Sequence, residues 1–287
     1  MSFSRHERGP RAAVGALASQ VHPVFMLPPL AASLFGAVLA GSATDVSVGL
    51  AALHVTAAFF ALYTAHVTDG YVDFYVREED DDHPLSARGC KVALAGASLA
   101  FFGCLFAIGL LVNVTAALLT LPGWLIAVNH APQLDTNPVG ATAGYPLGIG
   151  FALVGGYYVQ TQTLSGLVVA LGAVFVVVLA GIKVIDDAKD YEYDRSIGKR
   201  TVAVALGRER ARTVAYGLMT AGMLAVVALA VALPAMPPSA AAASVVFGAV
   251  ALVARRAEPA LATMLLIRGS YLFLAVLVAT VWFRPLG

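Results

Sequence analysis

Lys183–Gly198 reads KVIDDAKDYEYDRSIG and follows an almost uninterrupted apolar run. It places four aspartates, Asp186, Asp187, Asp190 and Asp194, where a membrane-spanning helix would be leaving the bilayer. Asp186, Asp190 and Asp194 are spaced i, i+4, i+8, and Asp187, Asp190 and Asp194 are spaced i, i+3, i+7. Either set falls on one face of a helix. Like charges stacked this way repel by a few tenths of a kcal/mol (~0.3) per pair, so the helix gains nothing structural from them. Carboxylates crowded at membrane depth line a polar cavity or share a cation. The plain alternative is a solvated, acidic helix end.

Composition sets the class. Of 287 residues, 59% are hydrophobic and 12% charged, and the mean hydropathy is +0.81. A soluble domain has roughly 25% charged residues, so this is a polytopic membrane protein and not a nucleic-acid binder. Cys90 and Cys104 lie fourteen apart, Cys104 within an apolar run, and read as buried spectators with no disulfide framework or metal site. Residues 1–20 lack a signal-peptide pattern and read as a short interfacial segment ahead of the first span.

A helix needs about 20 apolar residues to cross the hydrocarbon core. Nine such segments are expected, near 23–41, 48–68, 91–112, 114–131, 140–160, 164–186, 213–233, 239–255 and 260–283. With a cytoplasmic N-terminus, sixteen of the eighteen Lys and Arg fall in cytoplasmic segments and none in the outer loops. The exceptions are Arg284 and Arg268. That bias orients the bundle and fits an odd number of spans. The acids follow the same split, with only Asp45 outside, which the charge rule does not explain.

A second acidic cluster follows the second span, in HVTDGYVDFYVREEDDDHPLSARGCK. Asp69 and Asp73 are one turn apart at the helix exit, with Arg77 a further turn on. The run Glu78–Asp82 is expected to be a solvated loop. Two clusters at one end of a hydrophobic bundle suit Mg2+, which binds through one or two carboxylates plus phosphate oxygens. Lys183, Lys189, Lys199 and Arg200, with Arg77, could take the remaining phosphate charge, or serve only as positive-inside loop charges. A metal–diphosphate site above a helical bundle implies an amphiphilic substrate, which an isoprenoid diphosphate fits.

On these residues the chain resembles the UbiA superfamily of intramembrane prenyltransferases, from about Val21 to Phe283. Nine helices with Asp-rich motifs after the second and sixth are that family's arrangement. The most specific match is DDAKDYEYDRSIGKRTVAVALG, Asp186–Gly207, which is similar to the form in quinone-biosynthesis members. GATAGYPLGIGFALVGGYYVQT, Gly140–Thr161, resembles the menaquinone-type branch. The first motif departs from the family's form: Thr68 replaces an Asn, Asp73 follows Asp69 by four residues, and Val76 and Arg77 stand near where a third carboxylate is usual.

The resemblance implies one prenyltransferase domain over residues 1–287, all-α, multi-pass in the plasma membrane, with a cytoplasmic active site. It implies Mg2+ held by Asp69, Asp73, Asp186, Asp187, Asp190 and Asp194, and transfer of a prenyl group to an aromatic, quinone-precursor acceptor. Asp69, Asp73, Asp187, Asp190 and Asp194 would be catalytic. Arg77, Lys183, Lys189, Lys199 and Arg200 would grip the diphosphate. His66, Tyr71, Asn129, His130, Tyr145, Tyr157 and Tyr158 are candidates for the acceptor and prenyl pocket, either as a base, as polar contacts or as cation–π faces. The tyrosines also suit an interfacial belt. Alternative readings are a glyceryl-lipid acceptor, an acceptor-free cyclase of the same superfamily, and an ion-coupled transporter. Against the transporter, both clusters lie at one face, and the chain has no inverted repeat.

Overall fold

Polar caps punctuate the apolar runs. Ser47, Ser86, Asn113 and Asn137 each accept a hydrogen bond from a first-turn amide of the helix they open, satisfying a donor the helix cannot pair itself. In the computed structural model, residues 3–41 and 43–284 are described. The helices run α1 Pro10–Ala18, α2 Pro23–Ala40, α3 Val48–Tyr75, α4 Ala87–Leu111, α5 Val114–Val128 and α6 Pro138–Thr161. They continue as α7 Gly166–Lys189, α8 Tyr191–Ser196, α9 Val202–Leu206, α10 Arg208–Ala232, α11 Ala241–Ala254 and α12 Pro259–Phe283.

Seven of the described helices, α2, α3, α4, α6, α7, α10 and α12, are long and apolar enough to cross a membrane. The other two expected spans fall on shorter apolar helices, Val114–Val128 and Pro238–Ala254. At 15 residues, α5 extends about 22 Å at 1.5 Å per residue, short of a ~30 Å hydrocarbon core. The end of the second expected span, 48–68, also differs from expectation. Helix α3 runs beyond Thr68 to Tyr75, so Asp69 and Asp73 stand on the helix itself.

In lipid the tails are as apolar as the side chains, so helix association depends on close packing. At the α2–α6 crossing, a Cβ on Gly36 would lie 2.2 Å from the Leu153 carbonyl oxygen. One on Gly156 would lie 2.2 Å from the Ser33 carbonyl oxygen. Backbones meet there because neither residue has a side chain. Beside that crossing, Phe35, Phe175, Phe273 and Phe247 form a chain of edge-on rings with centroids 5.7–6.4 Å apart, a favoured quadrupole geometry. This dense half joins α2, α6, α7, α10, α11 and α12. It fixes α7, and with it the second acidic motif.

Gly156→Val is expected to lower the Tm of the detergent-solubilised protein by about 5 °C or more through overpacking. Gly217→Ala is the control, since a Cβ there meets nothing within 4 Å. A Tm for Gly156→Val as high as the control's would show that the crossing is not tight.

Candidate active site

Asp69 and Asp73 lie a turn apart near the end of α3. Beyond it, Glu78 adopts a left-handed φ of 56°, and the chain reverses. The Glu79 amide then donates to the Asp73 carbonyl at 2.7 Å. This turns the Glu79 carboxylate inward, to 8% exposure against 59% for Asp82. The acidic run is therefore solvated only in part. Glu79 supplies a third carboxylate beside Asp69 and Asp73, where the linear pattern has none.

The second motif is not one continuous helical face. Helix α7 ends at Lys189, Asp190 takes φ −96° and ψ 14°, and α8 starts at Tyr191. The break places Asp187 and Asp194 in the interior at 4% and 6% exposure. Asp190 is half exposed and pairs with Lys189 at 3.2 Å. Burial and the charge of Asp187 push the Asp194 carboxyl up to about 6, because both disfavour its ionised form. Gly198, at φ +76°, closes the motif in a conformation that favours glycine. Thr201 then caps α9.

Cations stitch the two motifs together. Lys183 reaches Asp187 at 2.5 Å and Asp186 at 3.7 Å, while Asp187 Oδ2 is buried with no hydrogen-bond partner among the described residues. Lys189 bonds Asp186 at 3.2 Å. Lys199 bonds Glu79 at 3.2 Å, tying the α8–α9 connection to the α3–α4 loop. Arg77 makes a bidentate pair with Asp135 at 2.6 and 2.9 Å and also lies 3.5 Å from Asp73. The Asp135 hydrogen bond raises the Arg77 pKa further. Arg77 is thus a clasp between loops, whereas Arg200 is exposed. Asp135 carries no motif, and its pairing across 58 positions had no sequence signal.

Asp69, Asp73, Asp186 and Lys183 meet at the mouth of one cavity of about 660 Å³. His66 and His130 also line the mouth. The His66 ring stacks on His22 with centroids 4.7 Å apart, and His130 Nε2 is 4.0 Å from Asp69. Below them the wall is apolar, including Phe25, Phe151, Leu179 and Ile182. Tyr145 lines this wall, its hydroxyl donating to the Phe25 carbonyl at 2.7 Å.

Other expected pocket residues lie elsewhere. Tyr71 packs with Tyr75 in the cluster joining α3 to α4. Tyr157 and Tyr158 are buried between helices in two separate packed clusters. The Asn129 amide turns back to the Leu125 carbonyl at 2.8 Å.

Among the described residues, no three acidic, His or Cys side chains converge to cage an ion alone. The carboxylates present instead face one another across a gap. Eight of them (Asp69, Asp73, Glu79, Asp135, Asp186, Asp187, Asp190, Asp194) neighbour four cations (Arg77, Lys183, Lys189, Lys199). That excess of negative charge, with the unpartnered Asp187 oxygen, fits Mg2+, whose remaining ligands would come from water or phosphate.

Fold and site together define a helical membrane protein with an acidic mouth above an apolar cavity. The chain belongs to the UbiA prenyltransferase family, whose sequence model matches residues 26–277. Its fold is similar to that of a digeranylgeranylglyceryl phosphate synthase, with a TM-score of 0.71 and 14% identity over 94% of this chain and 99% of that one. It is also similar to an apo UbiA homologue from Aeropyrum pernix K1, at 0.71 and 18% over 90% and 98%. A UbiA homologue from Archaeoglobus fulgidus bound to GPP and Mg2+ matches at 0.70 and 17% over 94% and 99%. No curated protein matches by sequence.

Breaking the clasp should be costly. Arg77→Met and Asp135→Asn are each expected to destabilise the protein by about 1–3 kcal/mol, and the double variant by less than their sum. Thermal unfolding of the four proteins checks this. Strictly additive losses would rule out the pair as a unit.

Proposed function

We propose that this protein transfers a prenyl group from an isoprenoid diphosphate to an aromatic, quinone-precursor-type acceptor. It would do so as one Mg2+-dependent domain crossing the plasma membrane nine times, with the N-terminus and active site cytoplasmic. The carrying observation is that Asp69 and Asp73 of α3 and Asp186 and Lys183 of α7 share the mouth of a single apolar-walled cavity. Such a cavity takes an anionic head and a hydrocarbon tail at once. The Mg2+ and GPP bound by the Archaeoglobus fulgidus homologue support the reading. The Lys and Arg distribution supports the orientation.

Asp69 and Asp73 would hold Mg2+ from one wall, with Asp186, Asp187 and Asp194 on the other. Asp190, half exposed, would complete that side. Bound there, Mg2+ would neutralise diphosphate charge and stabilise it as a leaving group. Lys183 would add a fixed positive charge beside the departing oxygens. Lys189 and Lys199, held by Asp186 and Glu79, would offset part of the negative charge near the mouth and, with the exposed Arg200, would meet the diphosphate as it arrives. The C–O bond breaks with both electrons passing to diphosphate, and an acceptor ring carbon captures the allylic cation. The ring proton then passes to an imidazole at the mouth, for which His66 is the candidate, with His130 toward the acceptor. The quinone-precursor acceptor rests on the likeness of Asp186–Gly207 and Gly140–Thr161 to quinone-biosynthesis members.

Purified protein incubated with Mg2+, a prenyl diphosphate and either dihydroxynaphthoate, hydroxybenzoate, a glyceryl phosphate lipid or no acceptor should yield a prenylated aromatic product by mass spectrometry. Asp73→Asn and Asp186→Asn are each expected to lower kcat by about 10²-fold or more. A product only with the glyceryl lipid, or a hydrocarbon with no acceptor, would overturn the acceptor assignment.

Asp194 adds a pH signature. Its folded pKa is raised to about 6 from 3.8, so its contribution to stability is present below 3.8 and lost as pH rises through 6. A cation on the ionised carboxylate offsets that loss. Mg2+ should therefore raise Tm more at pH 7.5 than at pH 5, and Asp194→Asn should shrink the difference. Equal Mg2+ shifts at both pH values would remove Asp194 from the metal site.

A further inference from the structure

A second basic region lies at the same end of the bundle as the mouth, and it is not matched by carboxylates. Helix α10 opens at RERAR, Arg208–Arg212, and the turn from α11 to α12 reads ARRAEP, Ala254–Pro259. The two stretches hold five arginines and two glutamates. The fold brings them together, because the Arg212 guanidinium donates to the Arg255 carbonyl at 3.3 Å. That carbonyl closes α11, where the last turn leaves acceptors without a helical partner. Arg208 stands over the Tyr191 ring, 5.2 Å from its centroid, so the region adjoins the second acidic motif. Among the described residues, Arg208 alone of the five pairs with a carboxylate, Glu192 at 4.0 Å.

The bias of cations toward one side of a membrane accounts for their presence in a loop, but not for their depth. The 3₁₀ turn Pro238–Ala240 and α11 together have 3 and 14 residues, a rise of about 27 Å. Against a hydrocarbon core of ~30 Å, that segment ends at the headgroup boundary and holds Arg255 and Arg256 there. Toward the bundle from the arginines, Val214 of α10, Leu252 and Val253 of α11, and Leu261 and Met264 of α12 are all exposed. Guanidinium groups thus sit directly above an aliphatic surface.

We propose that this region binds an anionic phospholipid of the leaflet facing the active-site mouth. Arg212, Arg255 and Arg256 take the headgroup phosphate, and the acyl chains lie along the exposed aliphatic side chains beneath. Arginine suits this role because its planar fork keeps several donors, so Arg212 can hold the Arg255 carbonyl and a phosphate oxygen together. A free phosphate or an acidic protein would use the arginines and leave the aliphatic surface unused. A zwitterionic lipid would bring its own cation against the guanidinium groups, so net-negative headgroups are selected. The inference requires that the chain cross a bilayer, and it is independent of the prenyl-transfer reading.

The test titrates the detergent-solubilised protein with dioleoylphosphatidylglycerol or dioleoylphosphatidylcholine and reads bound lipid by native mass spectrometry. Phosphatidylglycerol should bind about tenfold more tightly or better. Arg255→Gln/Arg256→Gln should bring the two lipids to within about twofold of each other, and Arg255→Lys/Arg256→Lys should keep part of the preference. The Gln pair leaves the backbone carbonyl that Arg212 caps, and an unchanged Tm confirms that it is folded. Arg8→Gln/Arg11→Gln removes two exposed arginines of the N-terminal segment and should leave the preference intact. Equal binding of the two lipids by the unaltered protein would overturn the inference. So would an equal loss in the N-terminal pair, which would mean diffuse charge without a site. Inorganic phosphate displacing phosphatidylglycerol at equal concentration would also overturn it, by making the ligand a free anion.

Discussion

Negative charge crowded against an apolar bundle is the constraint on which this structure depends. Two like charges about 4 Å apart repel by about 4 kcal/mol at the effective dielectric near a protein surface. Asp187 and Asp194 are nearly buried, so solvent screens them little. The chain answers with few cations, each shared. Lys183 serves Asp186 and Asp187, and Lys189 serves Asp186 and Asp190. Lys199 and Arg77 both meet Glu79. The connections after α3, α5 and α8 are thereby drawn, with the end of α7, into one charged cap. The negative excess that remains is what a divalent cation and its phosphate partner can resolve.

Hydrophobic runs made the helices readable, because they are local in sequence. Ser47, Ser86, Asn113 and Asn137 mark starts that the apolar period alone leaves loose by several residues. The Asp69–Asp73 pair was readable for the same reason, since a helix turns an i, i+4 spacing into adjacency. The hidden parts depend on a local break or a distant partner. Helix α7 ends at Lys189, and nothing in KDYEYD announces that Asp190 turns outward while Asp194 turns in. Glu79 enters the site through a left-handed Glu78, a conformation uncommon for a residue with a side chain. Asp135 is chosen by the fork of Arg77 across the fold. Tyr157 and Tyr158 carry the right chemistry for an acceptor pocket, but they stand too deep along α6, where packing claims them.

The two halves of the bundle divide stability from binding. On one side, Gly36 and Gly156 bring α2 and α6 into backbone contact, and large aromatic rings fill the space toward α11 and α12. On the other, α3, α5 and α6 turn Ala58, Ala61, Ala65, Gly123 and Gly148 toward the cavity. Small side chains leave a void only where neighbouring helices cannot collapse onto it. Here the dense half holds α6 and α7 at fixed positions, and the buried cluster of Phe101, Ile108, Ala116 and Tyr158 locks the far ends of α4, α5 and α6 together. An empty apolar cavity of this size would be destabilising in a soluble core, since its lining loses contacts with nothing in return. In a membrane protein, a hydrocarbon tail supplied with the substrate restores those contacts. The cavity is therefore a packing defect whose remedy is the ligand, and its apolar wall and its charged mouth are two constraints on the same molecule.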